Sequence, residues 1–142
     1  MHPSDAPARV SQTPDQRSLL ARAAEMAATI VEQAKAGDVV IVGRGGAHIL
    51  RDRLDVLHVF LHADRAFRER IVMQREKLDQ AAAARRIHQM DANRRAYNKQ
   101  VYGCDWLDVR LYDLAIDTGR LGFEGAAGIV VAALEQRAGA PA

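Results

Sequence analysis

The spacing of apolar positions changes several times along the chain, and each change marks an element. Leu19, Leu20, Ala23, Ala24, Ala27, Ile30, Val31 and Ala34 recur at helical spacing. Ahead of them, Thr13-Pro14-Asp15-Gln16 reads as a capping box with proline at the first helical position, and is expected to be an ordered beginning. Gly37 ends this helix, because glycine takes the left-handed cap at little cost. Val39-Val40-Ile41-Val42 is a short, wholly apolar, β-branched run, and predicts a parallel-sheet strand covered on both faces. Gly43-Arg44-Gly45-Gly46 breaks it at its C-terminal end, and His48-Ile49-Leu50 reads as a short turn of helix.

A second strand is predicted over residues 56–62, where His58 interrupts otherwise apolar positions. Asp64 caps a helix over about 65–77 and Asp79 caps another over 80–98. In the latter, Ala81-Ala82-Ala83-Ala84 has high helix propensity but little packing mass. Ile87, Met90 and Tyr97 give it a thin apolar stripe, so it is expected to be partly exposed. A loop from Tyr102 to Trp106 holds the only tryptophan. Residues 111–117 offer a third strand. A final helix around 124–137 is predicted to turn Ala126, Ala127, Ile129, Val130, Ala133 and Leu134 inward. Residues 1–12 read as a flexible tail and 13–142 as one α/β domain, with a lid-like helical region at about 79–105.

Composition narrows the function classes. At 142 residues and 49% hydrophobic, the chain is long and apolar enough for one buried core. No apolar run approaches a membrane span and the N-terminus has no apolar signal core, so no membrane partner is expected. The single Cys104 excludes an internal disulfide framework and fits a reducing cytoplasm. It has no His or Cys at ligand spacing, and His48, His58 and His62 form no metal-binding pattern, so no metal site is read from the sequence. The net charge of +2 conceals an asymmetry: segment 65–110 carries eleven Arg and Lys against six Asp and Glu. An anion is therefore expected against the middle of the chain. Nucleic acid fits poorly, because overall charge is near zero.

Three constellations can carry chemistry. Gly43, Gly45 and Gly46 let backbone approach a ligand, and Arg44 adds a planar donor fork suited to phosphate; a tight turn with a surface arginine reads equally well. It is not a Walker A loop, since Lys35, Lys77 and Lys99 are followed by Ala36, Leu78 and Gln100 rather than Ser or Thr. Arg65, Arg68, Arg70, Arg85, Arg86, Arg94 and Arg95 stand on two successive helices. They form either a solvated face, with Asp91 pairing to Arg94 or Arg95, or a phosphate clamp on a mobile lid. Trp106, Tyr102 and Tyr112 either fill core or stack on a base.

The succession Val39-Val40-Ile41-Val42-Gly43-Arg44-Gly45, Leu57-His58-Val59-Phe60-Leu61 and Arg68-Glu69-Arg70-Ile71 resembles the cytidylate kinase-like family of P-loop kinases. So do Asp91-Ala92-Asn93-Arg94-Arg95-Ala96-Tyr97, Tyr102-Gly103-Cys104-Asp105-Trp106 and Tyr112-Asp113-Leu114-Ala115-Ile116-Asp117-Thr118, in order and spacing, over about 16–137. The resemblance implies a three-layer P-loop kinase-like fold with a parallel sheet, truncated at its N-terminus, and a helical lid-like hairpin. It implies phosphoryl transfer from ATP with Mg²⁺ to a nucleoside monophosphate. By position, Gly43, Arg44, Gly45, Arg68, Arg70 and Arg85 correspond to substrate-binding residues. Arg86, Asp91 and Arg94 correspond to the catalytic lid.

Relatives begin with a strand, a P-loop and a helix that this sequence does not contain. In the family the P-loop strand lies between the strands matching 39–42 and 56–62, so a gap is expected there, with unpaired backbone groups that are costly to bury. It is closed by the two strands meeting, by a second copy in a homodimer, or by a missing N-terminal portion. Three functions are consistent with this pattern: a cytidylate kinase-like phosphotransferase, an inactive nucleotide- or phosphometabolite-binding pseudo-kinase, and a structural homodimer.

Overall fold

The computed structural model describes residues 14–43 and 45–138. These fall into two compact units, Met1–Val39 and Val40–Ala142. Within the first, helix α1 spans Pro14–Ala36. Gly37 follows it at φ +74°, as its placement after the last apolar position predicts. Ala23, Ile30 and Ala34, at intervals of seven and four, are its buried positions. Thr13 lies outside the described residues, as does the 1–12 tail.

The second unit contains α2 (Gly46–Ile49), β1 (Val59–His62), α3 (Arg65–Glu76), α4 (Gln80–Tyr102), a 3-10 turn at Val109–Leu111, β2 (Leu114–Asp117) and α5 (Thr118–Ala138). β1 and β2 pair in parallel, with Val59 opposite Leu114 and Leu61 opposite Ile116. The parallel sheet expected from the apolar runs therefore forms, but with two strands among the described residues. Its strands are shorter than the apolar runs that encode them. Residues 56–58 precede the ladder, although the His58 carbonyl already accepts the Leu114 amide at 3.1 Å. Residues 109–111 become a 3-10 turn because Asp108 caps them, its carboxylate accepting the Arg110 amide at 3.0 Å.

The first expected strand, over residues 39–42, does not form. Residues 39–42 have no ladder partner, and Val40 and Val42 stand 89% and 86% exposed. A β-branched run favours extended backbone, but a strand needs a neighbour to accept its hydrogen bonds, and none among the described residues flanks this segment.

α3 and α4 form an antiparallel hairpin. A three-residue connection joins them, and the cross-pairs run in opposite directions, Arg68 to Asp91 and Arg86 to Glu76. Both helices start at the aspartates the sequence marks. Asp64 accepts the Phe67 amide at 2.8 Å, and Asp79 accepts the Ala82 amide at 2.7 Å. Ala83 and Ile87 are buried on α4 while the rest of the helix stays largely open, as its thin stripe predicts. Burial of Ile87 is worth about 1.5–3 kcal/mol. α4 runs four residues past the predicted end, to Tyr102, and is capped by Gly103 at φ +64°.

α5 begins earlier than its apolar pattern, at Thr118. The Asp117 carboxylate accepts the amides of Gly119 and Arg120 at 2.9 and 3.1 Å, which starts the helix on polar ground. Gly122, at φ 74° and ψ 166°, interrupts it. Of the predicted inward face, Ala126 is buried and Val130 and Ala133 are half-buried. Ala127, Ile129 and Leu134 are exposed instead. A two-stranded sheet is too narrow to cover the whole apolar girth of this helix.

Candidate functional site

The glycine turn is built for close approach. Gly43 and Gly45 take φ +73° and +76°, and the Gly46 amide closes the turn onto the Gly43 carbonyl at 3.1 Å. Tyr102, the last residue of α4, lies directly on it. A Cβ at Gly45 would stand 2.2 Å from the Tyr102 Cε2 atom, so a larger residue displaces the ring and strains a left-handed backbone. The ring also meets His48 at 4.6 Å and Tyr97 at 6.0 Å between centroids. Burial, then hydrogen bonding with Tyr97, pushes the Tyr102 hydroxyl up to about 12. The turn is thus anchored to the C-terminal end of the arginine-bearing helix. Arg44 lies outside the described residues.

Along the hairpin the arginines separate into distinct roles. Arg68 reaches from α3 to Asp91 on α4 with both terminal nitrogens, at 2.8 and 2.6 Å, across a half-buried seam. Its fork holds the Asp91 carboxyl below the ordinary carboxylate range, and the charges of Arg94 and Arg95 act in the same direction while burial opposes them. The expected pairing of Asp91 within its own helix therefore yields to a cross-helix pair. The planar guanidinium of Arg68 presents two parallel donors, which a neighbour on the same helix turn does not match here.

Arg86 bonds Glu76 at 3.2 Å, at the end of the hairpin near its connection, and Arg65 pairs with Glu69 at 2.8 Å. Arg70 turns back over Phe67, 5.3 Å from its centroid. Arg85 lines a shallow cleft of about 390 Å³ with Arg65, Ala84, His88 and Gln89. The structure thus brings Arg68, Asp91 and Arg94 onto the α3–α4 seam and its continuation. It leaves Arg70, Arg85 and Arg86 on separate faces or ends.

Arg94 lies over an aromatic group that the sequence leaves open between core and ligand. Its guanidinium lies 5.7 Å from the Trp106 centroid. Trp106 meets Phe60 of β1 edge-on at 5.5 Å, and Tyr112 meets Phe60 at 5.0 Å. The Tyr112 hydroxyl donates to the Trp106 carbonyl at 2.7 Å. Phe60 was not singled out in the sequence; its place on an apolar strand gave no sign that a loop tryptophan would cover it. Asp113, next to Tyr112, works at the strand start. Its carboxylate accepts the His58 amide at 2.7 Å and lies 3.4 Å from Arg137. His58 itself is buried, with Nε2 3.1 Å from the Leu50 carbonyl, which is a packing role.

The residues present do not fit a donor nucleotide with its metal. Among the described residues no three His, Cys, Asp or Glu side chains converge as a cation site. No lysine in the sequence is followed by Ser or Thr. Among the described residues no helix is long and apolar enough to cross a membrane.

Comparison with known proteins bears on this arrangement. The family model described as "Cytidylate kinase-like family" matches residues 4–120. A cytidylate kinase of Methanopyrus kandleri is 33% identical over 112 residues, covering 73% of this chain and 58% of that protein. A cytidylate kinase of Methanocaldococcus jannaschii is 32% identical over 107 residues, covering 74% and 60%. The chain thus spans about three fifths of the length of these curated relatives. The crystal structure of an uncharacterized protein from Eubacterium ventriosum superposes with a TM-score of 0.76 at 27% identity, covering 80% of this chain and 65% of that one.

Proposed function

The chain belongs to the cytidylate kinase-like family, and from that premise we propose that its described residues form the acceptor side of a nucleoside monophosphate phosphotransferase. The carrying observation is the Arg68–Asp91–Arg94 group. Arg68 and Asp91 neutralise each other and lock α3 to α4. Arg94, one turn beyond Asp91, forms no hydrogen bond or ion pair through its guanidinium among the described residues. It is the donor fork left over for a monophosphate. The relatives' names supply the acceptor class, a cytidylate.

The roles follow from engagement. Arg94 contacts the acceptor phosphate; Asp91, held ionised by Arg68, keeps the hairpin in register; Gly45 holds the glycine turn against Tyr102. Arg70, Arg85 and Arg86 are secondary contacts. Arg86 has to leave Glu76 before it can act in a lid. The donor in this activity would be ATP with Mg²⁺, which would supply the phosphoryl group; the described residues lack a grip for it.

A second reading is supported by the uncovered strand material. Val40 and Val42 are exposed, and Leu61 on β1 is 55% exposed although parallel strands are ordinarily covered on both faces. We take the two strands as part of a three-layer P-loop kinase-like sheet completed by a further strand, from a second copy or from a longer polypeptide. The inactive nucleotide-binding reading then describes this chain alone, and the phosphotransferase reading describes the completed protein.

Equilibrium dialysis with cytidine monophosphate and with cytidine tests the acceptor assignment. Binding that requires the phosphate and weakens at least tenfold in Arg94→Gln is expected; equal retention of cytidine and its monophosphate overturns it.

A further inference from the structure

We infer that Trp106 is a positioning residue for Arg94, and that it is a tryptophan for its π face rather than for packing. The inference rests on the acceptor role of Arg94 proposed above and extends it to a residue outside that machinery.

Arg94 projects from α4 toward the loop after it, where the indole face of Trp106 meets the guanidinium at 5.7 Å. With no hydrogen-bond partner among the described residues, an arginine side chain samples many rotamers, and each costs order on binding. A cation over an aromatic face gains about 0.5–1 kcal/mol at an exposed site, and tryptophan is the strongest such face. The contact therefore narrows where the Arg94 fork points before a ligand arrives.

The indole is itself clamped. Phe60 of β1 packs edge-on against it at 5.5 Å, and Tyr112 ties down the Trp106 carbonyl at 2.7 Å. The sheet is thus connected to Arg94 through two rigid rings.

The second observation concerns what the tryptophan gives up. Its Nε1 is buried with no hydrogen-bond partner among the described residues. A buried unmet donor costs about 1–3 kcal/mol, and phenylalanine at this position would avoid it. Packing alone therefore favours another aromatic residue. What phenylalanine lacks is the larger, more electron-rich face turned toward Arg94.

The test uses the full chain and its single tryptophan. Without nucleotide, Arg94→Leu is expected to change the Trp106 emission intensity and its quenching by acrylamide; unchanged emission overturns the contact. Calorimetry then follows cytidine monophosphate binding. Trp106→Leu is expected to weaken binding about fivefold, with Trp106→Phe falling between it and wild type, although the thermal midpoint of the Phe variant is not lowered. In an Arg94→Leu background, Trp106→Leu is expected to add no further loss. Equal affinity in wild type and Trp106→Leu, or the same loss with and without Arg94, overturns the proposal. If wild type binds no cytidine monophosphate while Arg94→Leu still alters the emission, the acceptor role of Arg94 falls and the stacking contact stands.

Discussion

The Tyr102 ring lies across the backbone of Gly45, so close that a Cβ there would stand 2.2 Å from Cε2. This contact ties the glycine turn to the end of α4 and makes one position in the turn sterically unique. Gly45→Ala is expected to lose about 2–4 kcal/mol of unfolding free energy, from overpacking and from a positive φ that alanine disfavours. Gly43→Ala shares the positive φ but meets nothing within 4 Å, so it is expected to lose only about 1 kcal/mol. Urea denaturation of both variants checks the difference, and Tyr102→Leu is expected to recover part of the Gly45→Ala loss.

Tyr102 also titrates apart from an ordinary tyrosine. Its hydroxyl is expected to ionise at about 12, raised from 10.0 by burial first. A folded pKa above the unfolded one favours the protonated form, so this contribution to stability is complete below pH 10 and is lost as pH rises toward 12. Tyrosinate absorbance during alkaline titration checks this: the late step is expected to vanish in Tyr102→Phe.

The Arg68–Asp91 pair locks the hairpin. Arg68→Met and Asp91→Asn are each expected to cost about 1 kcal/mol, with a coupling of similar size in the double variant. Asp91 is depressed below its ordinary 3.8, so its contribution is present above that value and is lost as pH falls through the lower folded pKa. Acid unfolding of wild type and Asp91→Asn, followed by circular dichroism, is expected to converge below pH 3.8.

Arg86 and Glu76 form a more open pair, at 3.2 Å with both side chains well exposed. Arg86→Ala is expected to change stability by less than about 0.5 kcal/mol. Thermal melts at low and high salt check this, with any small difference expected to disappear at high salt.

Local chemistry was legible in the sequence wherever one residue decides the outcome. Asp64 and Asp79 start their helices, and Gly37 sits at a left-handed end, whereas Gly103, read as part of a loop, caps α4 four residues beyond its expected end. Apolar runs marked β1 and β2 and their C-terminal ends at His62 and Asp117, but not their starts at Val59 and Leu114; ahead of β2, Asp108 captures the Arg110 amide and holds 109–111 in a 3-10 turn, which an apolar pattern does not record. Residues 39–42 misled for a different reason: a strand depends on its neighbour, and β-branching alone supplies none. At the site, Asp91 and Arg94 were visible as charges, but their partners were not. Arg68 and Trp106 reach them across separations of 23 and 12 residues, which helical spacing does not predict.

The acceptor-phosphate face proposed for this chain, with no donor-nucleotide grip among its described residues, is tested most directly by calorimetric titration of the purified chain with cytidine monophosphate and, separately, with ATP and Mg²⁺. The account predicts saturable, salt-sensitive binding of the monophosphate that weakens at least tenfold in Arg94→Gln, with no heat of binding from ATP. Tight binding of ATP together with no binding of the monophosphate would contradict it.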